Sequence, residues 1–494
     1  MLLTARETIL DHMILKSVTK KLRRLARGES PRVLDLFSGC GGISLGFEAA
    51  GFTLSAAVEF DPLAARSHAN AFHLGDDIHA RARDITKCDA ADLTDELGLG
   101  DADSAFDIVV GGPPCQAYAR VGRAKLREVA DHPEAFQVDP RASLFLRYLA
   151  WIKDTAPVAF MMENVPDILN QAGHNVVEEV SDALDALGYD CRYSLLNASH
   201  HGVPQMRDRV ILIGMHQSSG ATIRFPAATH HCALPVGYSG TRAVALKYVD
   251  RHGEHWVEPD VGHEGLPAAV SAQDALEDLM PITLHLEGRL KRGARRFTEG
   301  VGYRSEPKNH FAHLMRTWEG HASSGEVFDH VIRYLPRDTQ IFRHMPEGSE
   351  YPAAHAVATR LFEEAARNQG LTEGDEKWTD LHRKMVPPYP VHTFPNRWGK
   401  LRKAKPARTL MAHLGKDCYS HIHYDDEQAR TISVREAARL QGFPDGFRFA
   451  GTMNPAFRQI GNAVPPLLAK AVADEIKKSL DEANANRGVP TAAE

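Results

Sequence analysis

Val33-Leu34-Asp35-Leu36-Phe37-Ser38-Gly39-Cys40-Gly41-Gly42 reads as a short apolar strand that breaks into a glycine-rich turn. A helix from Ile43 to Ala50 follows and closes on Gly51, and a second strand, Leu54 to Val58, ends on Glu59. Strand, turn, helix and strand in that order make a βαβ opening with an acid at the tip of the second strand. Glycines there let the backbone approach a ligand closely, and Glu59 is placed to accept from ribose hydroxyls. The turn falls short of the dinucleotide fingerprint, because Ser44 stands in the place of the third glycine. That weighs against a nicotinamide dehydrogenase and leaves nucleotide and nucleoside ligands open.

The same alternation continues outward. A helix after Asp61 carries Arg66 and His68, and Asp84-Ile85 is expected at the end of a third strand. Phe106 to Val110 is a fourth, β-branched and apolar, stopped abruptly by Gly111-Gly112-Pro113-Pro114. Cys115 is thereby left on a stiff turn at a strand's carboxyl end, the edge where open α/β sheets bind ligands. The position favours a nucleophile over a buried filler residue. Tyr118 to Pro140 is polar and holds Arg120, Arg123, Lys125 and Arg127, as expected of a mobile basic loop beside that nucleophile. A helix over Ser143–Lys153 and a fifth strand over Pro157–Met162 lead to Glu163-Asn164-Val165-Pro166. A helix over Val176–Leu187 precedes a hairpin-like pair, Asp190–Asn197 and Arg209–Met215. The βα alternation from 33 to 214 predicts an α/β fold with a doubly wound, mostly parallel, Rossmann-like sheet.

A chain of 494 residues is too long for one core. The expected divisions are a helical extension at 1–30, a cofactor-binding and catalytic domain at 31–215, and a smaller mixed domain or insertion at 216–450. A return to the first domain at 451–480 and a disordered tail at 481–494 follow. Within 216–400 histidine, proline, glycine and charge are mixed, with helical stretches at Ala268–Leu279 and Ala353–Gln369. Ser433 and Glu436 form a capping-box pattern for a helix starting at Val434. No apolar run approaches the ~20 residues of a membrane span. The start of the chain, with Arg6, Glu7, Asp11 and His12, does not resemble a signal peptide, and a cytoplasmic protein is expected. Six cysteines without a CxxC pair suit a reduced compartment. His230-His231-Cys232 reads as surface, so no metal is expected. The net charge of −6 speaks against nucleic acid, but it is uneven. Pro395 to Arg408 holds six cations (Arg397, Lys400, Arg402, Lys403, Lys405, Arg408) and no acid, and Gly288 to Arg296 holds five more. Such patches can contact phosphates or be solvated faces.

Six motifs in order decide between these readings. They are Asp35–Gly42, Gly112-Pro113-Pro114-Cys115-Gln116, Glu163-Asn164-Val165, Gln205-Met206-Arg207-Asp208-Arg209, Arg435–Pro444 and Gln459-Ile460-Gly461-Asn462-Ala463-Val464. Together they resemble the motifs of DNA cytosine-C5 methyltransferases, most of all the bacterial enzymes of restriction–modification systems. The resemblance covers about 1–215 and 400–475.

It implies that Cys115 attacks carbon 6 of cytosine and makes an enamine able to accept a methyl group. Glu163 would serve N3 of the base, which requires it to hold a proton near neutrality, as burial favours. Asn164 would fix geometry, and Arg209 with Arg207 would hold the base's O2, Arg207 being the one open to a structural role. The implied cofactor is S-adenosylmethionine, leaving as S-adenosylhomocysteine. Phe37 would stack on adenine, Asp84 and Ile85 would meet its edge, and Glu59 would bind ribose. Gly39 and Gly41 would face the methionine part, Asn462 and Val464 its end, with Ser38, Gly42 and Pro113 completing the set.

The implied partner is double-stranded DNA, from which the target base must be flipped. The loop after Tyr118 would clamp that base, and 216–400 would carry target recognition. A cognate restriction endonuclease would be a functional partner; no membrane is involved, and a monomer is expected. Arg435 and Glu436 would hold the second domain to the first. Where the family often has phenylalanine and serine after the Cys-Gln-Ala stretch, this chain has Tyr118 and Ala119, which puts loop closure in question. The alternatives are an RNA methyltransferase on the same scaffold and a catalytically silent regulator that binds nucleic acid.

Overall fold

The apolar runs become strands, the central ones buried on both faces, as a sheet covered by helices requires, and the edge strand Thr53–Val58 only in part. They are β1 (Arg32–Leu36), β2 (Thr53–Val58), β3 (Ile108–Gly111), β4 (Ala159–Asn164), β5 (Tyr189–Asn197) and β6 (Asp208–His216). The structure, a computed structural model, describes residues 5–114, 143–171, 173–290, 297–393, 395–416 and 419–486. Cys115, the loop from Tyr118 to Pro140, and the cations at 291–296 lie outside the described residues.

The six strands form one sheet in the order β2-β1-β3-β4-β6-β5. β1, β2, β3 and β4 are mutually parallel, while β6 runs antiparallel to both β4 and β5. The mostly parallel sheet is therefore as expected, with one reversed strand inserted. Its core holds Leu34, Leu36, Val109, Phe160, Met162 and Leu212 under Trp151 and Ile152 of helix Ser143–Thr155.

The expected strand ending at Asp84-Ile85 does not form. Arg83 N donates to Glu59 O at 2.7 Å, a single bond to the end of β2. The chain then turns, because Asp84 Oδ1 accepts from both Thr86 N and Thr86 Oγ1 at 3.0 and 2.7 Å. A side chain that satisfies the backbone locally competes with a ladder.

Contacts divide the chain into two compact units: Met1–Gly202 with Asp208–Ala268 and Ala463–Glu494, and Val203–Arg207 with Ala269–Asn462. Residues 216–268 thus pack with the sheet, whereas the second domain was expected to begin at 216. Trp256 explains part of this: it forms a parallel bridge with Tyr193 of β5 and stacks edge-on against it. The first 30 residues also belong to the sheet unit. Helix Ala5–Leu25 buries Val18, Leu22 and Leu25, and Lys21 Nζ donates to Thr155 O and Ala156 O.

Helix Gly42–Ala49 lies hard against helix Pro466–Asn486. A Cβ at Gly46 would sit 2.4 Å from Lys470 N, and one at Gly42 would sit 2.3 Å from Val464 O. Ser44 uses its hydroxyl instead, donating to buried Asp35 at 2.6 Å and meeting His68 Nε2 at 2.9 Å. The close-packing glycine of this helix is two residues later than the fingerprint places it. The last helix continues through 481–486, within the expected disordered tail, because Leu480 and Ala483 are buried.

In the second unit, helix Tyr351–Asn368 pairs with helix Glu376–Met385 through Phe362 and Trp378. Helix Val434–Gln441 is buried along its whole length, and Ser433 and Glu436 complete the expected capping box. Arg435 forks onto Asp329 at 2.6 and 2.9 Å, and Arg439 bridges Asp278 and Asp445. Glu436 pairs with Arg430 at 2.6 Å. Arg435 and Glu436 therefore brace the second unit internally, rather than making the domain-to-domain link expected of them.

Candidate active site

Register places the polar strand ends together. Leu36 pairs with Gly111, and Gly111 with Met162, so β1, β3 and β4 finish at one edge of the sheet. Reversed β6 begins at that edge, with Val210 opposite Asn164 and Ile211 opposite Glu163. This brings Arg209 to Glu163: Arg209 Nε lies 2.5 Å from Glu163 Oε1, both side chains largely shielded from water. Arg209 Nη1 donates to Asp208 O at 2.7 Å.

The two glycines before the prolines allow this convergence. A Cβ at Gly111 would meet Leu36 O at 2.3 Å, and one at Gly112 would meet Glu163 Oε2 at 2.8 Å. Asn164 Nδ2 donates to Pro113 O at 2.8 Å while its Oδ1 accepts from Val165 N. Asn164 thus anchors the turn that leads to Cys115, which itself lies outside the described residues.

The turn after β1 lies at the same sheet edge. Phe37 has φ of 58°, in the left-handed region that non-glycine residues rarely adopt, as do Gly39 at 55° and Gly41 at 103°. The ring of Phe72 fills the space a Gly41 Cβ would need, at 2.4 Å, whereas Gly39 faces open space. Glu59 holds the turn by accepting from Gly39 N at 2.8 Å and Asp61 N at 2.7 Å. Burial pushes the Glu59 carboxyl pKa up. A carboxylate has about four lone-pair sites, so acceptor capacity for two further donors remains. Asp35 beneath it is pushed up to about 7 by burial, and Ser38 Oγ is buried without a hydrogen-bond partner among the described residues. Phe60, 72% exposed, follows Glu59 directly. Sequence reasoning missed it, although an aromatic residue beside a strand-tip acid is a readable signal. Asp84 is half-buried, its pKa lowered by the Thr86 hydroxyl. Ile85 is buried, and its carbonyl accepts from Arg147 Nε at 2.8 Å. That anchor was also missed.

The sequence pattern described as C-5 cytosine-specific DNA methylase matches residues 31–252 and 303–478. The chain belongs to this family. A protein of Oceanobacillus iheyensis bearing the type II methyltransferase name M.OihORF3336P is 37% identical over 454 residues, 91% of this chain and 96% of that one. The type II methyltransferase M.AgeI of Thalassovita gelatinovora is 28% identical over 476 residues, 91% of this chain and all of its own. A crystal structure described as an E. coli prophage-encoded DNA modification methyltransferase superposes with a TM-score of 0.58 at 20% identity, over 92% of this chain and 100% of that one. It bears out the methyltransferase fold. The protein is thus a DNA cytosine-C5 methyltransferase.

Other residues of the methylase lie where the motifs alone do not put them. Arg207, expected beside Arg209 on the base, is buried with Nη1 donating to Leu410 O at 2.7 Å and Nη2 to Gly461 O at 2.9 Å. Those bonds fasten backbone within the second unit, and Gln205 does the same with Leu410 N and Leu440 O. Asn462 is an exposed residue ending helix Met453–Asn462 of that unit. Val464 is buried in the sheet unit with its carbonyl against Gly42.

The methylase's basic run is also sorted by burial. Lys400 is buried, donating to Phe342 O and Met345 O at 2.8 Å and pairing with Asp426, so it is not a phosphate ligand. Arg408 pairs with Glu350 at 2.9 Å. Arg402, Lys403 and Lys405 are exposed. Among the described residues no His, Cys, Asp and Glu cluster could hold a metal ion, and no helix is long and apolar enough to cross a membrane.

Proposed function

We propose that this methylase flips a target cytosine out of duplex DNA, attacks its carbon 6 with the sulfur of Cys115, and methylates carbon 5. The observation that carries the reading is the Arg209–Glu163 pair, set at the strand edge where Asn164 anchors the Pro113-Pro114 turn. Attack forms a carbon–sulfur bond at C6 and drives electron density into the ring. Glu163 shares a proton with N3, and the Arg209 guanidinium holds O2, so the charge that develops is met by fixed groups. Carbon 5 can then take the methyl group. Loss of its proton and departure of the Cys115 thiolate restore the aromatic ring and the enzyme. Arg207, by its contacts, positions backbone and does not touch the base.

The turn from Phe37 to Gly42 fits S-adenosylmethionine. Glu59 would take the ribose hydroxyls, Phe37 and Phe60 the adenine faces, and Asp84 with Ile85 its edge. Ser38, Gly39, Gly41, Gly42 and Pro113 would line the methionine side, with Asn462 and Val464 at its end. The cofactor supplies a methyl group on a sulfonium when bound, and S-adenosylhomocysteine is what it leaves.

The type II names of the relatives support a modification role, protecting DNA from a cognate restriction endonuclease. The protein would act as a cytoplasmic monomer. Residues 269–450 would carry target recognition, and the loop after Tyr118 would close over the flipped base. The decisive experiment incubates the protein and S-adenosylmethionine with duplex DNA containing 5-fluorocytosine in its target site. A covalent complex that disappears in Cys115→Ser is expected. An adduct that persists in Cys115→Ser, or none with wild-type protein on DNA it methylates when unmodified, would sink the mechanism.

A further inference from the structure

Val203–Arg207 pack with the second unit, while their neighbours on both sides, Gly202 and Asp208, pack with the sheet unit. Gln205, at the centre of this segment, is fully buried and uses both ends of its amide. Oε1 accepts from Leu410 N at 2.8 Å, and Nε2 donates to Gln441 Oε1 at 2.5 Å and to Leu440 O at 3.1 Å. On either side of it, Ala407 N donates to Pro204 O at 2.9 Å and Met206 N to Ala407 O at 2.8 Å. Thr409 Oγ1 donates to Met206 O at 2.8 Å. Arg207 adds its bonds to Leu410 O and Gly461 O.

Arg209 lies two residues beyond this anchorage, where its strand support is one-sided. β6 pairs with β4 only from Val210, which stands opposite Asn164, the last residue of β4. Arg209 itself stands opposite Leu196 of β5. The guanidinium that meets Glu163 is thus placed by β5 on one flank and by the segment that leads into the strand. A residue spans at most about 3.6 Å of chain, so the short lead from Arg207 to Arg209 passes a shift on.

We propose that Gln205 is a positioning residue for methyl transfer: its three side-chain bonds fix the segment that delivers Arg209 to O2 of the base. This rests on the role proposed for Arg209, through which Gln205 acts. A displacement of ~1 Å at a positioned group can cost as much as ~10²-fold in rate. The effect falls on the transfer step, since Gln205 packs with the second unit and the turn from Phe37 to Glu59 with the sheet unit.

The test follows single-turnover methyl transfer from labelled S-adenosylmethionine to duplex DNA. It compares wild type, Gln205→Leu, Thr409→Val, Arg209→Ala and the two double variants that include Arg209→Ala. Gln205→Leu removes all three bonds and is expected to lower the rate about tenfold or more, while the KM for S-adenosylmethionine stays within about twofold. Thr409→Val removes the bond to Met206 O and should lower the rate about threefold. It carries the test alone if Gln205→Leu does not fold. In the Arg209→Ala background neither substitution should slow transfer further, because a residue that acts through Arg209 has nothing left to position. A merely structural role predicts the same fold loss in both backgrounds. That result, or wild-type rates in the single variants that fold, would overturn the proposal. Arg209→Ala alone separates the two readings. If it transfers methyl at the wild-type rate, the role of Arg209 fails first; if it is slow and the losses still multiply, the role of Gln205 fails by itself.

Discussion

Glu163 Oε1 and Arg209 Nε, 2.5 Å apart, join the end of one strand to the start of its antiparallel neighbour. The pair exists because β6 reverses between β4 and β5. Had β6 been parallel, its first residues would lie at the opposite edge of the sheet.

Removing either partner should therefore cost catalysis more than fold. Arg209→Ala and Glu163→Gln are each expected to lower methyl transfer by ~10²-fold or more, the scale of losing a positioned general acid or charge stabiliser. Single-turnover transfer to duplex DNA measures this. Rates within a factor of a few of wild type would remove the pair from the mechanism.

The close approach of Gly46 to the final helix invites a stability test. Gly46→Ala puts a methyl group 2.4 Å from Lys470 N and 2.6 Å from Ala469 Cβ, where backbone must yield. Overpacking of this kind costs ~1–3 kcal/mol, so the urea midpoint should fall. The KM for S-adenosylmethionine should rise too, since this helix follows the Phe37–Gly41 turn. An unchanged midpoint would show that the helices part without penalty.

Much of this arrangement is legible in the sequence itself. Val33–Leu36 and Ile108–Val110 are apolar almost throughout, and strands buried on both faces look like that. Gly111, Gly112 and the prolines mark a strand end by local chemistry, as Ser433 and Glu436 mark a helix start. What stayed hidden depends on distant partners. Arg435 resembles a surface cation until Asp329, 106 residues earlier, is seen to neutralise it in the interior. Lys400 sits in a run that looks solvated, yet its Nζ satisfies the carbonyls of Phe342 and Met345. Arg207 and Arg209 differ by two positions and point to different tasks, because one is fixed by Leu410 and Gly461 and the other by Glu163. The alternation of strands also gives no hint that β6 is inserted beside β4, since pairing order is a non-local choice.

His255 makes a pH prediction. Its ring lies between Asp185 Oδ2 at 2.8 Å and Glu178 Oε1 at 2.7 Å, and those carboxylates push its pKa from 6.5 up to about 10. The same segment covers the β5 edge: Tyr193 N donates to His255 O and Val257 N to Tyr193 O. A group whose pKa is raised by folding stabilises fully below its unfolded value and loses that contribution as pH climbs through the folded one. The loss should therefore fall between pH 6.5 and about 10. Urea denaturation across that window should show stability declining in wild type and a shallower decline in His255→Gln. Parallel curves would mean that the clasp contributes nothing.

The basic run supplies the last test, because burial separates its members. Arg402, Lys403 and Lys405 are exposed, while Lys400 is enclosed. If the exposed three meet DNA phosphates, each substitution by alanine should weaken binding and reduce the slope of log K against log salt by ~0.9 for every phosphate no longer neutralised. Because phosphate contacts carry no base information, the weakening should be similar on cognate and non-cognate duplexes. Lys400→Ala should leave the salt slope unchanged and lower the urea midpoint instead, since Asp426 and two backbone carbonyls lose their partner. Fluorescence anisotropy over a salt series, with one labelled duplex of each kind, distinguishes the two behaviours. A salt slope that changes for Lys400→Ala and not for the other three would place the DNA-binding cations elsewhere.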